Sequence, residues 1–357
     1  MGIDYRPALL TEAGIGRAVR ELCRALASEP DLEMSLFGHS FAKPRRAAEP
    51  GSGRLHRLRI PGRSLPLLAS LGLDAAWLSG RASVFHWTDY IYPPVRGTAV
   101  LTIHDLAMLA DPSFHGAESC AMWQRCRDAA RRAARIVCPS EATAAAVHDH
   151  IPEVARRVVV VPFGCDHVSR VDDASPLAEP YLVCVGTIEP RKNHRRLLRA
   201  WRQLPTPRPR LVVIGRPGWE CAETARELEA AAAEGVLWLQ RASDAELRRY
   251  TQHAELAVYP SLLEGFGFPP LEAMQLGTVV VAGDTPALRE VLGDAAVLCN
   301  PHDTDALATA LRDTLAERAL RDALVERGRG RAAALTWRRC AAAHAAVYRS
   351  AAAEASR

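Results

Sequence analysis

The sequence predicts an α/β protein made of two domains, each organised around a parallel sheet. Three observations lead there. The chain has 357 residues, enough for two such domains. Short apolar runs alternate with helical patterns along most of it. A polar, proline-punctuated stretch, VSRVDDASPLAEP (Val168–Pro180), divides that alternation into two series and has the composition of a linker.

In the first series, strands are expected at Val84–Trp87, Ala99–Ile103, Ile136–Pro139 and Val158–Val161, with helices at Ile15–Ala27 and Ala117–Ala134. The second series begins at Tyr181–Val185 and continues through Leu211–Ile214, Val236–Leu239, Leu256–Tyr259 and Val279–Ala282. These β-branched runs, bounded by Gly, Pro or Asp, read as strands buried on both faces. Helices are expected between them at His194–Gln203, Thr224–Ala233, Asp244–Thr251 and Pro270–Leu276. From Thr304 the chain reads as helix, broken near Gly328 and Gly330. Lys43–Gly53 reads as a turn-rich loop.

A composition of 48% hydrophobic and 24% charged residues excludes a disordered chain. A net charge of +4 is compatible with phosphate ligands and does not call for nucleic acid as a partner. The nine cysteines show neither C-x-x-C pairs nor metal-ligand spacing, so they are expected as small buried side chains in a reducing compartment. No signal segment or membrane-length apolar run is visible, so a cytoplasmic location is expected, with any membrane contact peripheral. The arginines Arg125, Arg127, Arg131, Arg132 and Arg135 offer either a basic surface for anionic lipid or an ordinary solvated helix face.

Four strings carry the chemistry. In TEAGIGRAVREL (Thr11–Leu22), Gly14 and Gly16 precede a helix whose first amides suit a phosphate. A plain strand-to-helix turn accounts for them equally well, and Val19 stands where a dinucleotide fingerprint requires glycine. In LTIHDLAML (Leu101–Leu109), a strand ends in His104 and Asp105; the imidazole can serve a sugar hydroxyl or a structural contact. In VGTIEPRKN (Val185–Asn193), Arg191 and Lys192 stand before a helix, either converging on a pyrophosphate or facing solvent. Lys192 and Lys43 are the only lysines in an arginine-dominated chain. In YPSLLEGFGFPPLEAMQLG (Tyr259–Gly277), the glycines of EGFG make a tight loop and Pro269 and Pro270 start a helix with Glu272 in its first turn. Glu264 and Glu272 can then accept paired hydrogen bonds from sugar hydroxyls, although Glu272 could instead complement the helix dipole.

Together these strings, with ARIVCPSEATAAAV, VVVVPFGCD, ALREVLGDAAVL and TWRRCAAAHAAVYR, resemble the family-four retaining glycosyltransferases in order and over nearly the whole length. The likeness is greatest to their bacterial mannosyltransferase- and rhamnosyltransferase-like members. The resemblance implies a GT-B fold: two Rossmann-like domains with parallel sheets facing a central cleft. Residues 1–168 would bind the acceptor and 169–335 the nucleotide sugar, and a terminal helix from 336 to 357 would cross back to the first domain.

The resemblance also implies roles. Glu272 would bind the donor ribose, and Glu264 the transferred sugar or its phosphate. Arg191 and Lys192 would hold the leaving diphosphate beside Gly14 and Gly16. His104 would contact the donor sugar, and Arg241 and Ser243 of LQRASDAEL would lie at the base. Gly186, Thr187, Gly265, Phe266 and Gly267 would line the donor. One departure is Thr187, where many members carry an arginine; Arg191 is expected to compensate.

The implied activity is metal-independent transfer of a hexose or deoxyhexose, mannose-type from a GDP-sugar, with retention of configuration. The acceptor would be a glycan or lipid-linked glycan in cell-surface polysaccharide synthesis, and no cofactor beyond the donor is expected. The alternative from another class is a noncatalytic nucleotide-sugar-binding protein. A pyridoxal phosphate phosphorylase would need a Schiff-base lysine, and neither Lys43 nor Lys192 is placed for one.

Overall fold

The computed structural model describes residues 1–11, 14–41, 53–110 and 119–355. All of the expected loop Lys43–Gly53 except Gly53 lies outside them, as do Glu12 and Ala13 of the glycine turn and the first residues of the helix expected from Ala117.

The chain divides into two compact units. The first comprises Met1–Leu106, Cys120–Gly164 and Thr336–Arg357, and the second Ala107–Ser119 and Cys165–Leu335. The first unit holds strands β1 (Gly2–Asp4), β2 (Ser35–His39), β3 (Arg54–Leu58), β4 (Val84–Trp87), β5 (Thr98–Thr102), β6 (Arg135–Cys138) and β7 (Val158–Val160). They form one parallel sheet in the order β3-β2-β1-β4-β5-β6-β7. The three-residue β1 pairs in parallel with β2 on one side and β4 on the other, so even a short first strand holds the centre of the sheet. Ile3, Leu36, Phe37, Phe85, Val100 and Ile136 are fully buried, as expected for a sheet covered on both faces.

The second unit holds β8 (Tyr181–Val185), β9 (Arg210–Ile214), β10 (Val236–Leu239), β11 (Leu256–Tyr259), β12 (Val280–Gly283) and β13 (Val297–Cys299), all parallel, in the order β10-β9-β8-β11-β12-β13. Helices such as His194–Arg202 bury Leu197, Leu198 and Trp201 against Leu182, Leu211 and Val258. The connectivity repeats that of the first unit. In each sheet the chain winds outward from a central strand, returns to that strand's other side and continues in the opposite direction. The reversal lies between β1 and β4 in one unit and between β8 and β11 in the other, and such a switch point leaves a crevice at the strands' carboxyl ends where ligands bind.

The terminal helix Trp337–Ala355 packs on the first unit, against the helix Ile15–Leu26 and strands β4 and β5. Its Tyr348 hydroxyl lies 2.9 Å from His86 Nδ1, and His86 Nε2 is 2.8 Å from Thr102 Oγ1, so a buried polar chain joins helix to sheet.

Several local expectations need correction. The helix Arg318–Ala334 runs uninterrupted through Gly328 and Gly330. Gly328 is buried against Met274, where a larger side chain would crowd, so the glycine serves close helix packing instead of a break. The stretch Val168–Pro180 is fastened to the second unit: Arg170 Nη1 donates to Leu276 O at 2.7 Å, and Asp173 meets His253 at 3.0 Å and Arg248 at 3.4 Å.

The arginine series is largely engaged. Arg131 pairs with Glu153, Arg135 with Glu354, and Arg132 donates to Val95 O and lies over the Trp87 ring. All nine cysteines are free thiols, six of them buried. Among the described residues no helix is long and apolar enough to cross a membrane.

Candidate active site

The β8/β11 switch point is built by two loops. After β8 the chain runs from Gly186 to Asn193, and after β11 from Pro260 to Gly267. Gly186 carries its carbonyl against Gly215 after β9, where a side chain on residue 215 could not fit. Ile188 bridges to Pro217, which steers the loop across the strand ends. Asn193 closes this loop in the left-handed conformation, at φ 62°, which asparagine tolerates. Its Nδ2 donates to Pro260 O at 2.9 Å and to Pro301 O at 2.8 Å, stitching the two loops together.

That stitching brings three of the expected residues into contact. Lys192 Nζ lies 2.6 Å from Glu264 Oε1, and Arg191 Nη1 lies 3.1 Å from Glu264 Oε2. Arg191 also donates from Nη1 to Leu263 O at 2.9 Å and directs Nε and Nη2 at Glu189 Oε1, at 3.0 and 2.7 Å. Most of its guanidinium therefore goes into shaping the loop. An ammonium has three donors, so Lys192, with one directed at Glu264, keeps donors for an anion. Burial opposes ionisation of Glu264, but Lys192 and Arg191 outweigh it and, with Ser261, hold the carboxyl at about 2. Glu189 moves the other way, raised by burial against the pull of the same two cations.

Gly265, Phe266 and Gly267 complete the turn. Gly267 has φ +98° and caps the helix Phe268–Gln275, and a side chain there would strike Leu288. Phe266 is buried, its ring edge-on to Phe268 at 5.4 Å. The helix begins at Phe268, two residues before Pro270, which moves Glu272 from the expected first turn into the second. Dipole complementation therefore does not explain this carboxylate. Glu272 is instead buried beside His167, Oε1 to Nε2 2.9 Å, with side-chain exposures of 7% and 6%. Both Glu272 and Glu264 act electrostatically on the buried Tyr259 hydroxyl at the end of β11, so the two acids share one neighbourhood.

The remaining expected residues stand in other surroundings. Arg241 is exposed beyond β10. Ser243 caps the helix Asp244–Gln252 in a reciprocal capping box with Glu246, which occupies its hydroxyl structurally. Thr187 turns its methyl toward Gly218.

In the first unit, Gly14 caps the helix Ile15–Leu26 with φ +55° and open space around it, whereas a side chain on Gly16 would collide with the Thr11 and Pro7 carbonyls. His104 follows β5 and is stacked on Phe163 at 5.8 Å; its Nε2 donates to Thr88 O at 2.8 Å. Burial lowers its basicity, so the ring is neutral near pH 7, and the tautomer with Nε2–H leaves Nδ1 as an acceptor for a hydroxyl. Among the described residues no group of three or more His, Cys, Asp or Glu converges as a metal site would.

Sequence reasoning did not single out His167, Asn193 or Glu189. Asn193 and Glu189 lay inside the quoted string VGTIEPRKN and could have been found by asking what orders the loop. His167 carries no local signal, because its partner is 105 positions away.

Residues 168–331 match the family described as "Glycosyl transferases group 1", and residues 13–168 match "Glycosyltransferase Family 4". An O-antigen chain mannosyltransferase B from Escherichia coli is 28% identical over 92% of this chain and 93% of that protein. A D-inositol 3-phosphate glycosyltransferase from Geodermatophilus obscurus is 33% identical over 62% of this chain and 53% of that protein. The solved sucrose-phosphate synthase from Thermosynechococcus elongatus has the same fold, with a TM-score of 0.81 over 98% of both chains at 21% identity. The chain belongs to the family 4 glycosyltransferases, with two Rossmann-like domains of the GT-B class.

Proposed function

We propose that the protein transfers a mannose-type hexose or deoxyhexose from a GDP-sugar to a glycan or lipid-linked glycan, with retention of configuration and without a metal. The supporting observation is the Lys192–Glu264–Arg191 cluster at the β8/β11 switch point. Breaking the anomeric C–O bond leaves negative charge on the departing diphosphate. Pre-positioned donors there lower the barrier without reorganising at the moment of reaction. Lys192 supplies those donors. Arg191 and Glu264 hold the loop and the ammonium in place, so Lys192 takes the compensating role expected of Arg191 opposite Thr187.

The acceptor hydroxyl forms the new C–O bond on the face that the diphosphate leaves, and its proton passes to the departing diphosphate. Glu272, oriented by His167, accepts hydrogen bonds from the donor ribose. Nδ1 of His104 accepts from a donor-sugar hydroxyl. Mannosyl transfer is favoured by the full-length relative, whose name specifies it. The retained cluster disfavours the noncatalytic alternative.

Thermal shift with GDP, UDP and dTDP, each in EDTA, tests donor and metal together, because a ligand that binds the folded state raises its melting temperature. Selective stabilisation by GDP is expected. Stabilisation only when a divalent cation is added would contradict the metal-independent reading.

A further inference from the structure

The first unit repeats, at its own switch point, the charge arrangement of the second. Arg191 follows β8 and meets Glu264 after β11. Arg6 follows β1 and pairs with Asp89 after β4. The pair is not sealed in the core, since Arg6 and Asp89 keep side-chain exposures of 12% and 20%.

A row of hydrogen bonds along the carboxyl ends of β1, β4 and β5 fixes it. Thr88 Oγ1 donates to Asp4 O at 2.5 Å, His104 Nε2 donates to Thr88 O at 2.8 Å, and the Tyr90 hydroxyl donates to Asp105 O at 2.7 Å. The amide of Tyr90 donates to Asp89 Oδ1 at 2.7 Å, which sets the carboxylate's orientation.

Below the pair lies Asp4, fully buried, with Oδ1 accepting from the Arg6 amide at 3.1 Å. Among the described residues, Asp4 Oδ2, Arg6 Nε and His39 Nδ1 are buried without a hydrogen-bond partner. Unpaired buried groups of this kind carry a cost in folding that hydrogen bonds to a ligand would offset.

We propose that Arg6 and Asp89 form a subsite for a neutral, multiply hydroxylated acceptor sugar, Asp89 accepting from and Arg6 donating to adjacent hydroxyls. This rests on the transferase reading above and on the acceptor binding to residues 1–168, as the family resemblance implies. The charge balance selects the class of acceptor. Among the described residues, Arg6 lies with the carboxyls of Asp4 and Asp89, Asp105 stands beside His104 near Asp89, and burial with Arg6 nearby lowers His39 to about 4, leaving its ring uncharged. A phosphorylated sugar would bring its negative charge against these acids, whereas vicinal hydroxyls match a carboxylate and a guanidinium in both donor and acceptor sense. Burial raises Asp4 to about 7, so it adds at most partial charge at neutral pH.

The test uses saturation-transfer NMR on the full chain, with methyl α-mannobioside and D-inositol 3-phosphate as probes, for the wild type and for Asp89→Asn and Arg6→Gln. The expected result is binding of the mannobioside by the wild type, roughly tenfold weaker binding by each variant, and no displacement by the inositol phosphate. Variants that bind the mannobioside like the wild type would overturn the proposal. So would a wild-type protein that ignores the mannobioside or prefers the phosphate. The wild-type competition needs no variant, so misfolding of a mutant cannot hide the answer. GDP-induced stabilisation, measured on the same samples, reports separately on the donor reading.

Discussion

Lys192 and Glu264, 72 positions apart, meet at 2.6 Å across the junction where the second sheet reverses direction. The contact depends on Asn193, whose amide ties the loop carrying Lys192 to the loop carrying Glu264. Charge at this position is therefore a property of the topology. A parallel sheet wound in both directions from β8 presents two loops to one crevice, and the sequence places cations on one and a carboxylate on the other.

The division of labour between the two cations is testable. Lys192→Ala should lower kcat by more than tenfold, at least roughly 1.4 kcal/mol of transition-state stabilisation, and should lower the melting temperature through loss of its ion pair with Glu264, though less than the Arg191 variant does. Arg191→Ala should lower both, because Arg191 also holds Leu263 and Glu189. Steady-state kinetics with GDP-mannose, beside thermal melts, measure the two effects. Equal melting temperatures for both variants would remove the structural role of Arg191.

Glu264 links this cluster to pH. Its folded-state pKa of about 2 lies below the ordinary 4.5, so the folded state favours the ionised form. The resulting stability is complete above pH 4.5 and is lost as pH falls toward 2, with a size of about 3 kcal/mol from the shift. Glu264→Gln should melt lower than the wild type at pH 7, and the gap should close as the acid limit is approached. Urea unfolding at several pH values measures it; a gap independent of pH would contradict the ion-pair account.

Asp4 behaves in the opposite sense. Its folded-state value of about 7 stands above the ordinary 3.8, so the unfolded chain releases this proton first as pH rises. Stability is lost between pH 3.8 and about 7, by up to about 4 kcal/mol. Asp4→Asn should match the wild type near pH 4 and exceed it in stability at pH 8, with weaker binding of an acceptor sugar. A variant less stable than the wild type at pH 8 would show that the carboxylate is stabilised by contacts of its own.

His167 orients Glu272 from 105 positions away. His167→Ala should raise the donor KM several-fold with kcat little changed, since the chemistry itself is served by Lys192. A fall in kcat at constant KM would place the pair in the chemical step.

Much of the architecture was legible because buried parallel strands are short, apolar and β-branched. Val84–Trp87, Tyr181–Val185, Val236–Leu239 and Leu256–Tyr259 stand as read, and other strand ends shift by a residue. Strands β2 and β3 were not legible. SLFGH is brief and carries a glycine, and RLHRL at the sheet edge alternates charge with leucine, which matches a helix or loop equally well. Gly328 and Gly330 were read as a break because propensity is local, while the reason for Gly328 is Met274 in another helix.

The site shows the same boundary. Local strings pointed to Arg191, Lys192, Glu264 and Glu272, whereas the His167 partner of Glu272 and the pairing of Arg6 with Asp89 required the fold, because nothing in a linear chain marks residues that meet across 105 or 83 positions.

Isothermal titration of GDP in EDTA into the wild type and Lys192→Ala tests the central claim most directly. The account predicts binding by the wild type and at least roughly tenfold weaker binding by the variant. Equal affinity in the two proteins would contradict it, since the ammonium held by Glu264 would then have no part in gripping the diphosphate.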